Sequence, residues 1–80
     1  MSNTYNYGTI AVDNDGKLLI ERGTQYTNFG TIENNGYISI DDGGSLHNDA
    51  GNIVNNGTVD LVTYFSGNDI TGTGTVNDKR

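Results

Sequence analysis

The 80-residue chain contains no cysteine, no proline and no tryptophan. Disulfides and thiolate metal sites are thereby excluded, while the redox compartment stays open because a cysteine-free chain suits either one. Positive charge is scarce: Lys17, Arg22, Lys79 and Arg80 stand against ten acids, for a formal net charge of −6. Such a surface does not neutralise phosphates, so nucleic acid is not an expected partner. Apolar runs end after three residues, as in Leu18 to Ile20. These residues therefore hold neither a membrane span nor the apolar centre of a signal peptide, and no membrane partner is expected. Leu, Ile, Val and Phe supply 18 of the 80 residues, close to the level below which a chain buries too little apolar surface to order itself. A thick two-layer core is not expected.

What is abundant is 12 Gly, 12 Asn and 10 Thr, residues of turns and extended segments. The glycines expose a repeat. Gly8-Thr9-Ile10 returns as Gly30-Thr31-Ile32, Gly51-Asn52-Ile53 and Gly74-Thr75-Val76, at offsets of 22, 21 and 23. Gly16-Lys17-Leu18-Leu19-Ile20 returns as Gly36-Tyr37-Ile38-Ser39-Ile40 and Gly57-Thr58-Val59-Asp60-Leu61, at offsets of 20 and 21. A looser third member runs Gly23-Thr24-Gln25-Tyr26, Gly43-Gly44-Ser45-Leu46 and Gly67-Asn68-Asp69-Ile70.

A unit of about 21 residues in three glycine-punctuated segments, each fit for a short strand and each join too short for a helix, predicts an all-β parallel β-solenoid. The expectation is one domain over 1–80, with coils at about 8–29, 30–50 and 51–73 and a partial coil at 74–80. Parallel crossovers favour the right hand. Alternation with period two then sets the inward columns as Ile10/Ile32/Ile53/Val76, Leu18/Ile38/Val59, Ile20/Ile40/Leu61 and Tyr26/Leu46/Ile70. Every one of these positions is apolar or aromatic. Asn14-Asp15-Gly16, Asn34-Asn35-Gly36 and Asn55-Asn56-Gly57 stack as one corner, suited to positive φ and to an asparagine ladder. Asn-Gly and Asp-Gly also suit antiparallel hairpins, but a meander has no need of a three-segment lag. Extra residues near Ala11-Val12-Asp13 and Val62-Thr63-Tyr64-Phe65-Ser66 read as outward loops or bulges.

Asn6-Tyr7-Gly8-Thr9-Ile10, Asn28-Phe29-Gly30-Thr31-Ile32, Asn34-Asn35-Gly36-Tyr37-Ile38-Ser39-Ile40 and Asn55-Asn56-Gly57-Thr58-Val59 resemble the degenerate repeats of parallel β-helix adhesins of the filamentous haemagglutinin and autotransporter-passenger type. They are also similar to repeats of viral fibre and giant-virus proteins. The likeness spans residues 6 to 76 and implies architecture, with a place on an extracellular surface or a virion; it brings no catalytic residue with it.

Chemistry-bearing side chains are few. His47 is the lone histidine, next to inward Leu46 and hence outward. Glu21 and Asp41 follow Ile20 and Ile40 and align across coils; with Tyr37 and Tyr64 they form the first suspects for a glycan-binding or glycan-cleaving face. Asp13-Asn14-Asp15-Gly16 echoes half of a calcium loop, but with Gly16 at the loop's sixth place Ala11 and Arg22 fall where ligands belong. Thr9, Thr31 and Thr75 share a column that Asn52 interrupts, so no flat lattice-matching face is encoded. No cofactor or metal is expected and no enzyme activity. The leading expectation is a structural module that pairs with copies of itself, because a short stack has open strand edges at both ends.

Overall fold

The computed structural model describes residues 2–80, and every regular element among them is a strand. In chain order these are β1 (Ser2–Asn6), β2 (Thr9–Val12), β3 (Lys17–Ile20), β4 (Thr24–Asn28), β5 (Thr31–Asn34), β6 (Tyr37–Ile40), β7 (Ser45–Asn48), β8 (Asn52–Asn55), β9 (Thr58–Leu61), β10 (Tyr64–Gly67) and β11 (Thr75–Asp78). Four or five residues between glycine corners leave room for one short extended segment and no more. All pairings are parallel, in sheets ordered β1-β4-β7-β10, β2-β5-β8 and β3-β6-β9-β11. Three strands make a coil, and each coil rests on the next: a parallel β-solenoid.

The registers give Ile10–Ile32–Ile53, Leu18–Ile38–Val59 and Ile20–Ile40–Leu61 as inward columns. Ile32, Ile53, Ile38, Val59, Ile20, Ile40, Leu61 and Leu46 are buried, while Ile10, Leu18 and Tyr26 are half-buried against them. Val12 joins this core, as the residue in register with Asn34.

Four placements differ from the repeat arithmetic. Val76 stacks on Val59, not on Ile53, and is 42% exposed because no coil covers it. In the Tyr26–Leu46 column the next residue is Phe65 rather than Ile70; Ile70 instead precedes Thr71, which bridges to Val54. The fourth coil is shorter than the others, so Gly74-Thr75-Val76 meets Gly57-Thr58-Val59 after 17 residues. At the other end the stack starts six residues before Gly8, with Ser2 opposite Thr24 in β1.

Two columns of buried asparagine line the corners. Asn6 Nδ2 donates to Asn28 Oδ1 at 2.9 Å and Asn28 Nδ2 to Asn48 Oδ1 at 2.9 Å. Around the triangle, Asn34 Nδ2 donates to Asn55 Oδ1 at 2.8 Å. Each Oδ1 of Asn6, Asn28, Asn34 and Asn55 also accepts from the glycine amide two residues on, so side chain and corner lock together. The corner ladder expected at Asn14 holds Val12 in its first coil instead. Its glycines do not supply positive φ, which occurs only at Gly23, Gly43, Gly67 and Gly72 among the described residues. Close approach is the reason: a Cβ on Gly36 would collide with the Asp13 and Gly16 carbonyl oxygens, and one on Gly57 with the Gly36 carbonyl oxygen.

Candidate functional site

Of the four suspects for a glycan face, Glu21, Asp41 and Tyr37 share one side of the triangle and its corner, and Tyr64 lies on another. Glu21 and Asp41 do share a corner, where the Asp41 amide donates to the Ile20 carbonyl at 2.9 Å. Tyr37 starts β6, at the far end of that side by its backbone, but its hydroxyl reaches along the outer face to Asp60, which is in register with Ser39 and so lies beside Asp41. Tyr64 starts β10, on another sheet. Glu21 and Asp41 are brought together, and the Tyr37 hydroxyl reaches the outer face beside Ser39 and Asp41, whereas Tyr64 lies on another side.

Tyr37 belongs to a polar network that alternation hides. Its hydroxyl donates to Asp60 Oδ2 at 2.5 Å, Asn77 Nδ2 donates to Asp60 Oδ1 at 2.8 Å, and Lys79 Nζ stands 3.6 Å from Asp60 Oδ2. The hydrogen bonds from Tyr37 and then Asn77 hold the Asp60 carboxyl below the usual carboxylate range, and the same bond holds the Tyr37 phenol above its ordinary value. Beside it, Ser39 Oγ donates to Asp41 Oδ1 at 2.7 Å. Ser39 and Asp60 are both buried although they face away from the core: Tyr37, Asn77 and Lys79 gather on Asp60 from the coils on either side, and Asp41 closes over Ser39 from its own coil.

His47, Ser66 and Asp49 cluster on the β7–β10 face. His47 Nδ1 lies 3.2 Å from Ser66 Oγ, and Ser66 Oγ donates to Asp49 Oδ2 at 3.4 Å. A hydrolytic relay needs the carboxylate on the imidazole, where it orients the ring and stabilises its charge. Here the carboxylate binds the serine, and the histidine ring packs against Tyr64 at 5.1 Å between centroids. These contacts link coils three and four.

A group that repeat reasoning did not single out is aromatic. Tyr7 and Phe29 lie one above the other at the corner between the first and second sides, 5.1 Å apart with planes 9° from parallel. Tyr5 stacks beside them, 6.5 Å from Tyr7 and 6.4 Å from Phe29. The signal was present in Asn6-Tyr7-Gly8 and Asn28-Phe29-Gly30, whose middle residues share a register one step beyond the Asn6–Asn28 pair.

A shallow depression at the corner between the second and third sides is lined by Asp13, Asn14, Asp15, Gly16 and Asn35. Among the described residues, no group of three or more His, Cys, Asp or Glu is placed to hold a metal ion. No helix among them is long and apolar enough to cross a membrane.

The geometry defines the class as a three-sided parallel β-solenoid. No protein-family model, curated protein or solved structure matches the chain.

Proposed function

We propose that the protein is a non-enzymatic structural β-solenoid module that associates with copies of itself, as a segment of a surface or virion fibre protein. The observation that carries this reading is the open first coil. β1, β2 and β3 each stand last in their sheet, so a row of backbone donors and acceptors on every side of the triangle is free to pair. Inside that edge Ile10 and Leu18 are only half-buried, whereas Ile32 and Ile38 directly above them are 0% and 1% exposed. Covering the edge completes hydrogen bonds and removes apolar surface at once. The resemblance to repetitive adhesin and fibre proteins supports the setting.

Net charge opposes association, and salt relieves it, since the screening length is about 10 Å at 0.1 M and shorter above. Sedimentation velocity over a wide range of protein concentration, at low and high salt, tests the reading. Oligomers that strengthen with both variables are expected; a monomer under all conditions would overturn it.

A carbohydrate-binding module is the second reading, favoured by the exposed ring group of Tyr5, Tyr7 and Phe29, since aromatic faces suit the apolar faces of sugar rings. Binding on a glycan array that is lost in Tyr7→Ala would support it, and a blank array would remove it.

A further inference from the structure

The two ends of the stack are built differently. At the first end all three sides carry complete strands. At the last end the second side carries only the Thr71–Val54 bridge, followed by Gly72-Thr73-Gly74. There Arg80 folds back over β10: its Nη1 donates to the Phe65 carbonyl at 3.0 Å, and its guanidinium carbon lies 5.9 Å from the Phe65 ring centroid. Asp78 holds that guanidinium through Nε at 2.9 Å and Nη2 at 2.8 Å. An incoming strand at the last end must displace an ion-paired arginine and finds one side without a strand to pair with.

Charge separates both ends from the middle of the stack. Residues 2–23 carry Asp13, Asp15 and Glu21 against Lys17 and Arg22, so the first coil bears −1. Residues 24–63 carry Glu33, Asp41, Asp42, Asp49 and Asp60 with no Lys or Arg, hence −5, and residues 64–80 carry Asp69 and Asp78 against Lys79 and Arg80, hence zero, so it is the strand edges and not charge that distinguish the two ends. Two first coils meeting face to face therefore bring together two nearly neutral layers and keep the acidic middles a coil or more away from the interface.

Resting on the self-association reading above, we propose that two copies join first coil to first coil about a two-fold axis normal to the stack, closing a dimer, while Arg80 blocks growth at the other end. A two-fold axis reverses the direction of winding, so the joined strands run antiparallel. In a three-sided coil the corner holding Tyr7 lies opposite β3. An axis through that corner and the middle of β3 pairs β3 with its own copy and β1 with the other copy's β2. Lys17 of one copy then faces the Ile20–Glu21 end of the other, twice. The Tyr7 rings, 76% exposed and already stacked on Phe29, meet near the axis and extend the aromatic column. The molecule measures 30 × 26 × 22 Å; an end face across the two longer dimensions is on the order of 600 Å², and two such faces reach the lower range of stable interfaces.

The chain has no cysteine, so single thiols report directly on the geometry. Tyr7→Cys and Thr73→Cys are both exposed positions at opposite ends, and far-UV circular dichroism confirms that each variant keeps its strands. Under copper-phenanthroline oxidation, at a concentration where wild type sediments as a dimer, Tyr7→Cys is expected to cross-link at least about tenfold faster than Thr73→Cys. Equal rates, or faster linkage through Thr73→Cys, would overturn this geometry while leaving self-association standing. A wild type that stays monomeric overturns both. Arg80→Ala is expected to convert the dimer into longer assemblies, and a distribution that still stops at the dimer would overturn the blocking role.

Discussion

Asn28 Nδ2 donates 2.9 Å to Asn48 Oδ1, between two side chains that are both fully buried. Asn28 also donates to the Asn52 carbonyl at 3.1 Å and accepts from Asn6 and from the Gly30 amide. All of its hydrogen-bonding capacity is thus used inside the protein. Asn28→Ala leaves several buried partners unsatisfied and opens a cavity, and a loss of about 3 kcal/mol or more is expected in urea unfolding. Asn35→Ala, on the exposed side of the next corner, should stay within about 0.5 kcal/mol of wild type.

Glycine pairs provide a second contrast. Gly57→Ala drives a methyl into the Gly36 carbonyl oxygen, whereas a methyl at Gly8 meets nothing within 4 Å. Gly57→Ala should lower the melting temperature strongly, by 10 °C or more on the order-of-magnitude scale for a domain this small, and Gly8→Ala should leave it unchanged or slightly higher. Similar melting temperatures for the two variants would show that corner stacking is not tight.

Ile38→Asp places an unpaired carboxylate in the buried central coil, and loss of cooperative unfolding is expected. Leu19→Asp, on the exposed side of β3, should retain the strand signal in far-UV circular dichroism. Ser39→Asp falls between these two. Although it faces outward, it sets a third carboxylate beside Asp41 and Asp60, so it should destabilise at neutral pH and less so in acid.

Acid should also weaken the Tyr37–Asp60–Asn77 network. The Asp60 carboxyl titrates below its unfolded value, so the stability it contributes is complete above the ordinary carboxylate range and is lost as pH falls through the lower folded value. In Tyr37→Phe the largest cause of the shift is gone, and a flatter decline of melting temperature between neutral and acid pH is expected. An unchanged slope would mean that the hydrogen bond carries no linkage.

Millimolar calcium is expected to leave the melting temperature within a few degrees of its value in EDTA, because Asp13 and Asp15 lack the further ligands of a calcium loop. A rise of about 10 °C or more would assign the Asp13–Gly16 corner to metal.

The three-segment lag was legible because Ile10, Ile32 and Ile53, and likewise Ile20, Ile40 and Leu61, repeat at nearly constant spacing behind a glycine. Val76 was misplaced because Gly-Thr-Val fits the β8 and β9 columns equally, and only the shortened fourth coil decides between them. β1 was hidden since its inward positions are Thr4 and Asn6, which give no apolar alternation. The aromatic group is invisible to a period-two pattern: Tyr7 and Phe29 sit in corners and Tyr5 on an outward face, and only stacking of coils unites them. The burial of Ser39 and Asp60 escaped for a related reason, because it comes from polar side chains gathered on the outer face rather than from the core.

The parallel registers also fix how the protein responds to force. Its ladder hydrogen bonds lie along the stack, so tension applied between Ser2 and Arg80 opens them in line with the pull, one coil at a time, instead of shearing many together. Each released coil of about 20 residues replaces a rise of about 4.8 Å by some 70 Å of extended chain. The stack is thereby built to lengthen in steps under modest load.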